Sequence, residues 1–188
     1  MKFNPEIHHR RSVRLRNYDY SGRGLYYITI CVQNRVCLFG NVVDQQMILN
    51  QFGQIAFDCW QEITTHYPDT KLHDFVIMPN HIHGIIEITA NDDDVCTVGV
   101  ENFQPLPVPP KRNEFQHVIP RSIGAIVRGF KIGVTKQIRT KNLLPMQTHS
   151  IWQRNMWEHI VRDFSDYARI ADYINNNPAN WQSDNFYC

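Results

Sequence analysis

The chain has 188 residues, of which 43% are hydrophobic and 20% charged, and its formal net charge is +1, a composition that describes a soluble globular protein of one domain. No apolar run approaches the roughly 20 residues needed to span a bilayer, and the N-terminal Met-Lys-Phe-Asn-Pro-Glu-Ile-His-His-Arg-Arg has no apolar secretion core, so a cytoplasmic location without a membrane partner is expected. Five scattered cysteines, Cys31, Cys37, Cys59, Cys96 and Cys188, are odd in number and never in CxxC spacing, which argues against a disulfide framework and for reduced thiols.

Near-neutral charge hides a polarity along the chain. Residues 1–24 form a basic N-terminal arm, with Arg10, Arg11, Arg14 and Arg16 near its middle. Such local basic faces bind phosphate even when the whole chain is close to neutral. Tyr18 and Tyr20 beside them are candidates to stack unpaired bases, with core packing as the alternative. Residues 25–33, Leu-Tyr-Tyr-Ile-Thr-Ile-Cys-Val-Gln, are aromatic and β-branched and predict a central strand. From Asn50 to His66, Phe52, Ile55, Ala56, Cys59, Trp60 and Ile63 recur at three and four, ahead of Pro68, which predicts a helix with one face on the sheet.

Leu72–Met78 and His81–Thr89 are β-type runs separated by Pro79-Asn80, a spacing that forces a tight antiparallel hairpin. Residues 91–120 turn acidic and then proline-rich and read as an exposed insertion. From Ser122, a plausible N-cap, to about Lys141, Ile123, Ile126, Val127, Phe130, Val134 and Ile138 mark a helix. Its cations Arg128, Lys131, Lys136 and Arg139 fall within an arc of roughly 140° at 3.6 residues per turn. With no acidic residue in that helix, a phosphate-tracking face competes with a merely solvated one. The segment 151–161 predicts a fourth strand in its second half. A last helix should begin near Asp163 or Ser165 and end before Pro178. The order β-α-β-β-α-β plus a helix is the ferredoxin-like split βαβ arrangement. It predicts an α+β fold with a four-stranded antiparallel sheet and two main helices on one face.

Two features carry chemistry. In an extended His81–Ile88, the side chains of His81 and His83 leave the same face, and two neutral imidazoles make half a site for a divalent metal. In the last helix Tyr173 and Asn177, spaced i and i+4, share a face. Facing the histidine pair, Asn177 would add a neutral oxygen ligand and Tyr173 would lie beside a bound phosphate, a set suited to Mg2+ or Mn2+. On local grounds alone, Tyr173 also reads as a helix tyrosine packed on the sheet and Asn177 as a C-terminal cap before proline.

Three separated runs, Phe-Val-Ile-Met-Pro-Asn-His-Ile-His-Gly-Ile-Ile, Trp-Gln-Arg-Asn-Met-Trp-Glu-His-Ile-Val-Arg and Asp-Tyr-Ile-Asn-Asn-Asn-Pro-Ala-Asn-Trp, resemble the single-tyrosine HUH transposases, most closely the REP-associated tyrosine transposases. The resemblance covers nearly the whole chain outside the proline-rich insertion. It implies that His81 and His83 are the HUH metal ligands, Tyr173 the nucleophile, and Asn177 the polar third ligand one helical turn later. The implied reaction is cleavage and rejoining of single-stranded DNA at hairpin or repeat sequences through a 5′-phosphotyrosine, with a monomer favoured over a homodimer. Glu158 and His159 are possible contributors. Two alternatives stay open on the residues: a nucleic-acid-binding ferredoxin-like module without catalysis, and a metal-dependent hydrolase using the histidine pair and water.

Overall fold

The computed structural model describes residues 20–89, 119–144 and 150–187. The arm's Arg10, Arg11, Arg14 and Arg16, Tyr18, and all but the last two residues of the proline-rich insertion lie outside them. Strand β1 (Gly24–Cys31) is followed by a small hairpin, β2 (Gly40–Val43) and β3 (Gln46–Leu49), and by helices α1 (Gln51–Gln61) and α2 (Ile63–His66). Then come β4 (Thr70–Ile77), β5 (His81–Ile88), α3 (Ile123–Thr140), β6 (Trp157–Val161) and α4 (Phe164–Asn176). The main sheet runs β4-β5-β1-β6 and every pairing in it is antiparallel, the strand order of the split βαβ arrangement. No helix among the described residues is long and apolar enough to cross a membrane.

Strand alternation builds two cores. Tyr26, Ile28 and Ile30 of β1 and Ile82 and Ile86 of β5 pack with Ile55, Trp60, Ile126, Phe130 and Val134 of α1 and α3. The intervening residues Tyr27 and Ile85, with Val161, pack on the other face against Ile170 and Ile174 of α4. Full burial of each such aliphatic side chain contributes about 1.5–3 kcal/mol, so the larger cluster anchors the domain and the smaller one docks α4. Tyr20 is buried in the larger core, which resolves its two readings in favour of packing.

Local chemistry explains the element ends. The Asn50 side chain accepts from the Phe52 and Gly53 amides and caps α1. The helix expected over Asn50–His66 divides at Glu62, the C-cap of α1 with φ −72° and ψ −9°, immediately before the β-branched run Ile63-Thr64-Thr65. Ser122 caps α3 by accepting from the Ala125 amide, and Asp163 caps α4 by accepting from Asp166. The β2–β3 hairpin was not anticipated: Asp44 and Gln45 turn it with φ of 49° and 63°, the left-handed pair of a type I′ turn, without the Asn-Gly signature. Cys37 is disulfide-bonded, contrary to the expectation of reduced thiols throughout, whereas Cys31 and Cys59 are free.

Gly84, directly after the histidine pair, is required by packing. A Cβ there would run into the indole of fully buried Trp60 and come within 3.1 Å of Phe75 Cβ. Trp60 cannot yield, being stacked on Phe75 at 5.4 Å and edge-on to Phe130 at 5.5 Å. Gly84→Ala is expected to lower stability by about 1–3 kcal/mol, read as a lower denaturant midpoint at unchanged m-value; an unchanged midpoint would contradict this packing.

Candidate active site

The two histidines of β5 point to the α4 face, and their hydrogen bonds set the tautomer of one and constrain the other. Asn80 donates both amide protons to backbone carbonyls, those of Arg35 at 3.1 Å and Phe186 at 2.7 Å. Its oxygen therefore faces His81 Nδ1 at 2.8 Å and accepts a proton from it. His81 Nε2 is left with a free lone pair, fully buried and without a hydrogen-bond partner among the described residues. His83 Nδ1 lies 2.9 Å from both the Tyr27 hydroxyl and Thr29 Oγ1; donation from Nδ1 to either oxygen leaves its Nε2 free in the same way. That Nε2 is 3.4 Å from the Tyr173 hydroxyl.

Helix α4 is held at both ends by one carboxylate. Asp74 in β4 accepts from the Tyr167 hydroxyl at 2.8 Å and from Asn175 Nδ2 at 2.9 Å, and these hydrogen bonds, that from Asn175 first, hold its carboxyl below the usual range. With Ile170 and Ile174 packed on the sheet, Tyr173 is 43% exposed at the rim, while Asn177 one turn later is buried. Asn177 Nδ2 donates to Asp184 Oδ2 at 2.9 Å, and the Tyr173 hydroxyl lies 3.4 Å from the same oxygen. Asn177 Oδ1 is buried without a partner, like His81 Nε2.

Two orphaned lone pairs in one buried site call for an explanation, since burying unpaired polar atoms is costly. A cation would supply one. Donor atoms of His81, His83 and Asp184 lie within 4.8 Å of one another, and Asn177 is within reach of the His81 ring. Two imidazole nitrogens with carboxylate and amide oxygens suit a borderline divalent ion.

Burial depresses the basicity of both His81 and His83, and a proton on His81 would disfavour one on His83 as well, so both rings are neutral and ligand-ready at neutral pH. Burial and then the Asp184 charge raise Tyr173 above its usual value, keeping the phenol protonated; burial raises Tyr27 likewise. Neutral histidines in the folded state take up protons only on unfolding. Metal-free stability is therefore expected to be undiminished by them above about pH 6.5 and to fall below it, by up to about 1.4 kcal/mol per pH unit for each ring. Urea midpoints across that range check this, and a flat profile would contradict it.

A cavity of about 650 Å³ opens beside the tyrosine, between α4 and residues 153–157, with Tyr27, His83, Tyr173 and Phe186 in its wall. Phe186 also packs against His81, with ring centroids 4.4 Å apart and the planes tilted by 33°.

No family model matches the chain. A Haemophilus influenzae protein named only as uncharacterized is 42% identical over 186 residues, 99% of this chain and 97% of that protein. A second protein of that organism, named "Putative REP-associated tyrosine transposase", is 28% identical over 161 residues, 86% of this chain and 73% of that protein. The solved structure of a REP-associated tyrosine transposase bound to a REP hairpin matches the fold with a TM-score of 0.53 at 20% identity, covering 90% of this chain and 74% of that one. The chain is similar to REP-associated tyrosine transposases in sequence and in fold.

The structure brings His81, His83, Tyr173 and Asn177 together within one chain and adds Asp184, to which no sequence signal pointed. Asp184 follows a short 3-10 turn, Trp181–Ser183, and accepts from the Phe186 amide; the Ser-Asp-Asn run signals such an Asx turn and nothing more specific. Asn80, Tyr27 and Thr29 were read as turn and strand residues and prove to orient the histidines. Glu158 pairs in register with Ile28, on the face away from the site. His159 lies on the α4 face, bonded to Asp166 at 2.7 Å.

The cations of α3 are not at this site, because that helix covers the opposite face of the sheet. Arg128, Lys136 and Arg139 are exposed there. Lys131 departs from the expected stripe: its ammonium donates to the carbonyls of Gln153 and Asn155, both at 2.9 Å, and burial brings it down to about 8.

Proposed function

We propose that the protein cleaves and rejoins single-stranded DNA beside hairpin or repeat sequences, with Tyr173 as nucleophile and Mg2+ or Mn2+ held by His81, His83 and Asn177 together with Asp184. The observation that carries this reading is the Tyr173 hydroxyl poised 3.4 Å from His83 Nε2, beside the orphaned His81 Nε2 and Asn177 Oδ1. All of these groups come from one chain, which favours a monomer. The hairpin-bound relative supports the substrate class.

In the reaction, Tyr173 Oη bonds to the scissile phosphorus as the P–O3′ bond breaks, leaving a 5′-phosphotyrosine and a 3′-oxygen that takes up a proton. Asp184 Oδ2, 3.4 Å from the phenol, is placed to accept the proton that Tyr173 loses. A phenol with its pKa raised is a weak nucleophile; the divalent ion, when bound, polarises the phosphate and so lowers the nucleophilicity demanded of it. Attack by another 3′-hydroxyl on the phosphotyrosine reverses the step and joins strands without ATP. Arg128, Lys136 and Arg139, with Arg10, Arg11, Arg14 and Arg16, would hold duplex phosphates away from the scissile one.

Incubation with end-labelled hairpin DNA and Mn2+ or Mg2+ tests this. A denaturant-resistant protein–DNA adduct that chelator abolishes is expected. Cleavage without an adduct would assign a water nucleophile instead, and binding alone a non-catalytic module.

A further inference from the structure

The cavity beside Tyr173 has a built aromatic floor that the reaction chemistry does not use. Trp157, the first residue of edge strand β6, is 44% exposed. It pairs with Thr29, which pairs with His83, so indole and histidine share one row of the sheet, two strand spacings or about 10 Å apart. The indole is held in place: Tyr27 packs edge-on at 5.4 Å and His159 lies parallel at 6.1 Å, itself fixed by Asp166. The facing wall, residues 153–155, is fixed by the two hydrogen bonds from Lys131 and by the Gln153 amide donating to the Cys31 carbonyl. Gln153, Arg154 and Asn155 also line the cavity.

An apolar, rigid aromatic platform, two amides able to both donate and accept, and a guanidinium are the chemistry that recognises a nucleobase and its phosphate. A volume of about 650 Å³ is that of an ordinary small-molecule pocket and accommodates a nucleotide. We propose that this cavity takes an unpaired nucleotide next to the scissile phosphate, its base stacked on Trp157 and its edge read by Gln153 and Asn155, with Arg154 on the flanking phosphate. This deepens the proposed function and rests on it for the position of the scissile phosphate. Lys131 is then a positioning residue for the reading wall, which accounts for its withdrawal from the basic face of α3.

The test uses a DNA hairpin with a short single-stranded tail on either side, the same hairpin without tails, and tailed versions carrying 2-aminopurine or an abasic site at each tail position in turn. One position should show 2-aminopurine quenching with the intact protein. Trp157→Ala should abolish that quenching and weaken binding of the tailed hairpin by roughly 5- to 150-fold, the factor corresponding to base–aromatic stacking of about 1–3 kcal/mol. Binding of the tailless hairpin should not change, Trp157→Phe should recover most of the loss, and an abasic site at the quenched position should make intact and Trp157→Ala proteins equal. Equal binding of the tailed hairpin by both proteins, or equal losses on tailed and tailless DNA, would overturn the pocket even if the tyrosine adduct forms. Tail-specific loss with no adduct from the intact protein would instead overturn the cleavage reading and leave a base-binding pocket.

Discussion

Tyr173→Phe is expected to abolish the covalent protein–DNA adduct, lowering its rate of formation by at least about a thousandfold, as deletion of a nucleophile does, while leaving the fold and DNA binding in place. The substitution removes one oxygen. The ring is half-exposed at the rim and packs edge-on against His83 at 5.2 Å, a contact that phenylalanine keeps. The two hydrogen bonds lost are both 3.4 Å long, so their loss should change stability by less than about 1 kcal/mol. Denaturing gels measure the adduct and gel shifts the binding. An adduct of undiminished yield in the Phe variant would place the nucleophile elsewhere.

His81→Ala or His83→Ala is expected to weaken Mn2+ binding more than about a hundredfold, because each removes one of the few nitrogen donors that the site offers. Asn80→Ala touches no donor atom. It frees His81 Nδ1 from the oxygen that fixes its tautomer, and loss of such a supporting hydrogen bond should cost about 10–100-fold in metal affinity. The free energies run the other way without metal: removing a buried ring whose Nε2 has no partner relieves a standing cost, so His81→Ala should lose less stability than its size suggests and should flatten the acid limb of the stability profile. Calorimetric Mn2+ titration and urea midpoints read both effects. Full-strength Mn2+ binding by either histidine variant would sink the metal site as drawn.

How much of this was legible beforehand depends on the range of each signal. Period-two alternation put His81 and His83 on a common face, and i,i+4 spacing put Tyr173 beside Asn177, because both are properties of a single element. The split βαβ order was legible because strand and helix periods alternate cleanly from β1 to β6. What lay beyond reach were relations between elements. The arc of cations on α3 is present, but a helical wheel does not say which face of the sheet the helix covers, nor that residues 153–155 would meet Lys131. Asp184 enters the site through a turn after α4, where no periodicity constrains it. The β2–β3 hairpin turns through left-handed Asp44 and Gln45 without glycine, so the usual turn signal is missing. Asn80 looked like turn punctuation because its partners, the Arg35 and Phe186 carbonyls, are distant in sequence.

The central claim, that Tyr173 forms the covalent bond to DNA under the control of a metal held by His81 and His83, is tested most directly by proteolysis and tandem mass spectrometry of the denatured reaction with hairpin DNA and Mn2+. A nucleotide remnant on the Tyr173 hydroxyl, absent with chelator and in His83→Ala, is the predicted result. A remnant on any other side chain, or cleaved DNA with every peptide unmodified, would contradict it.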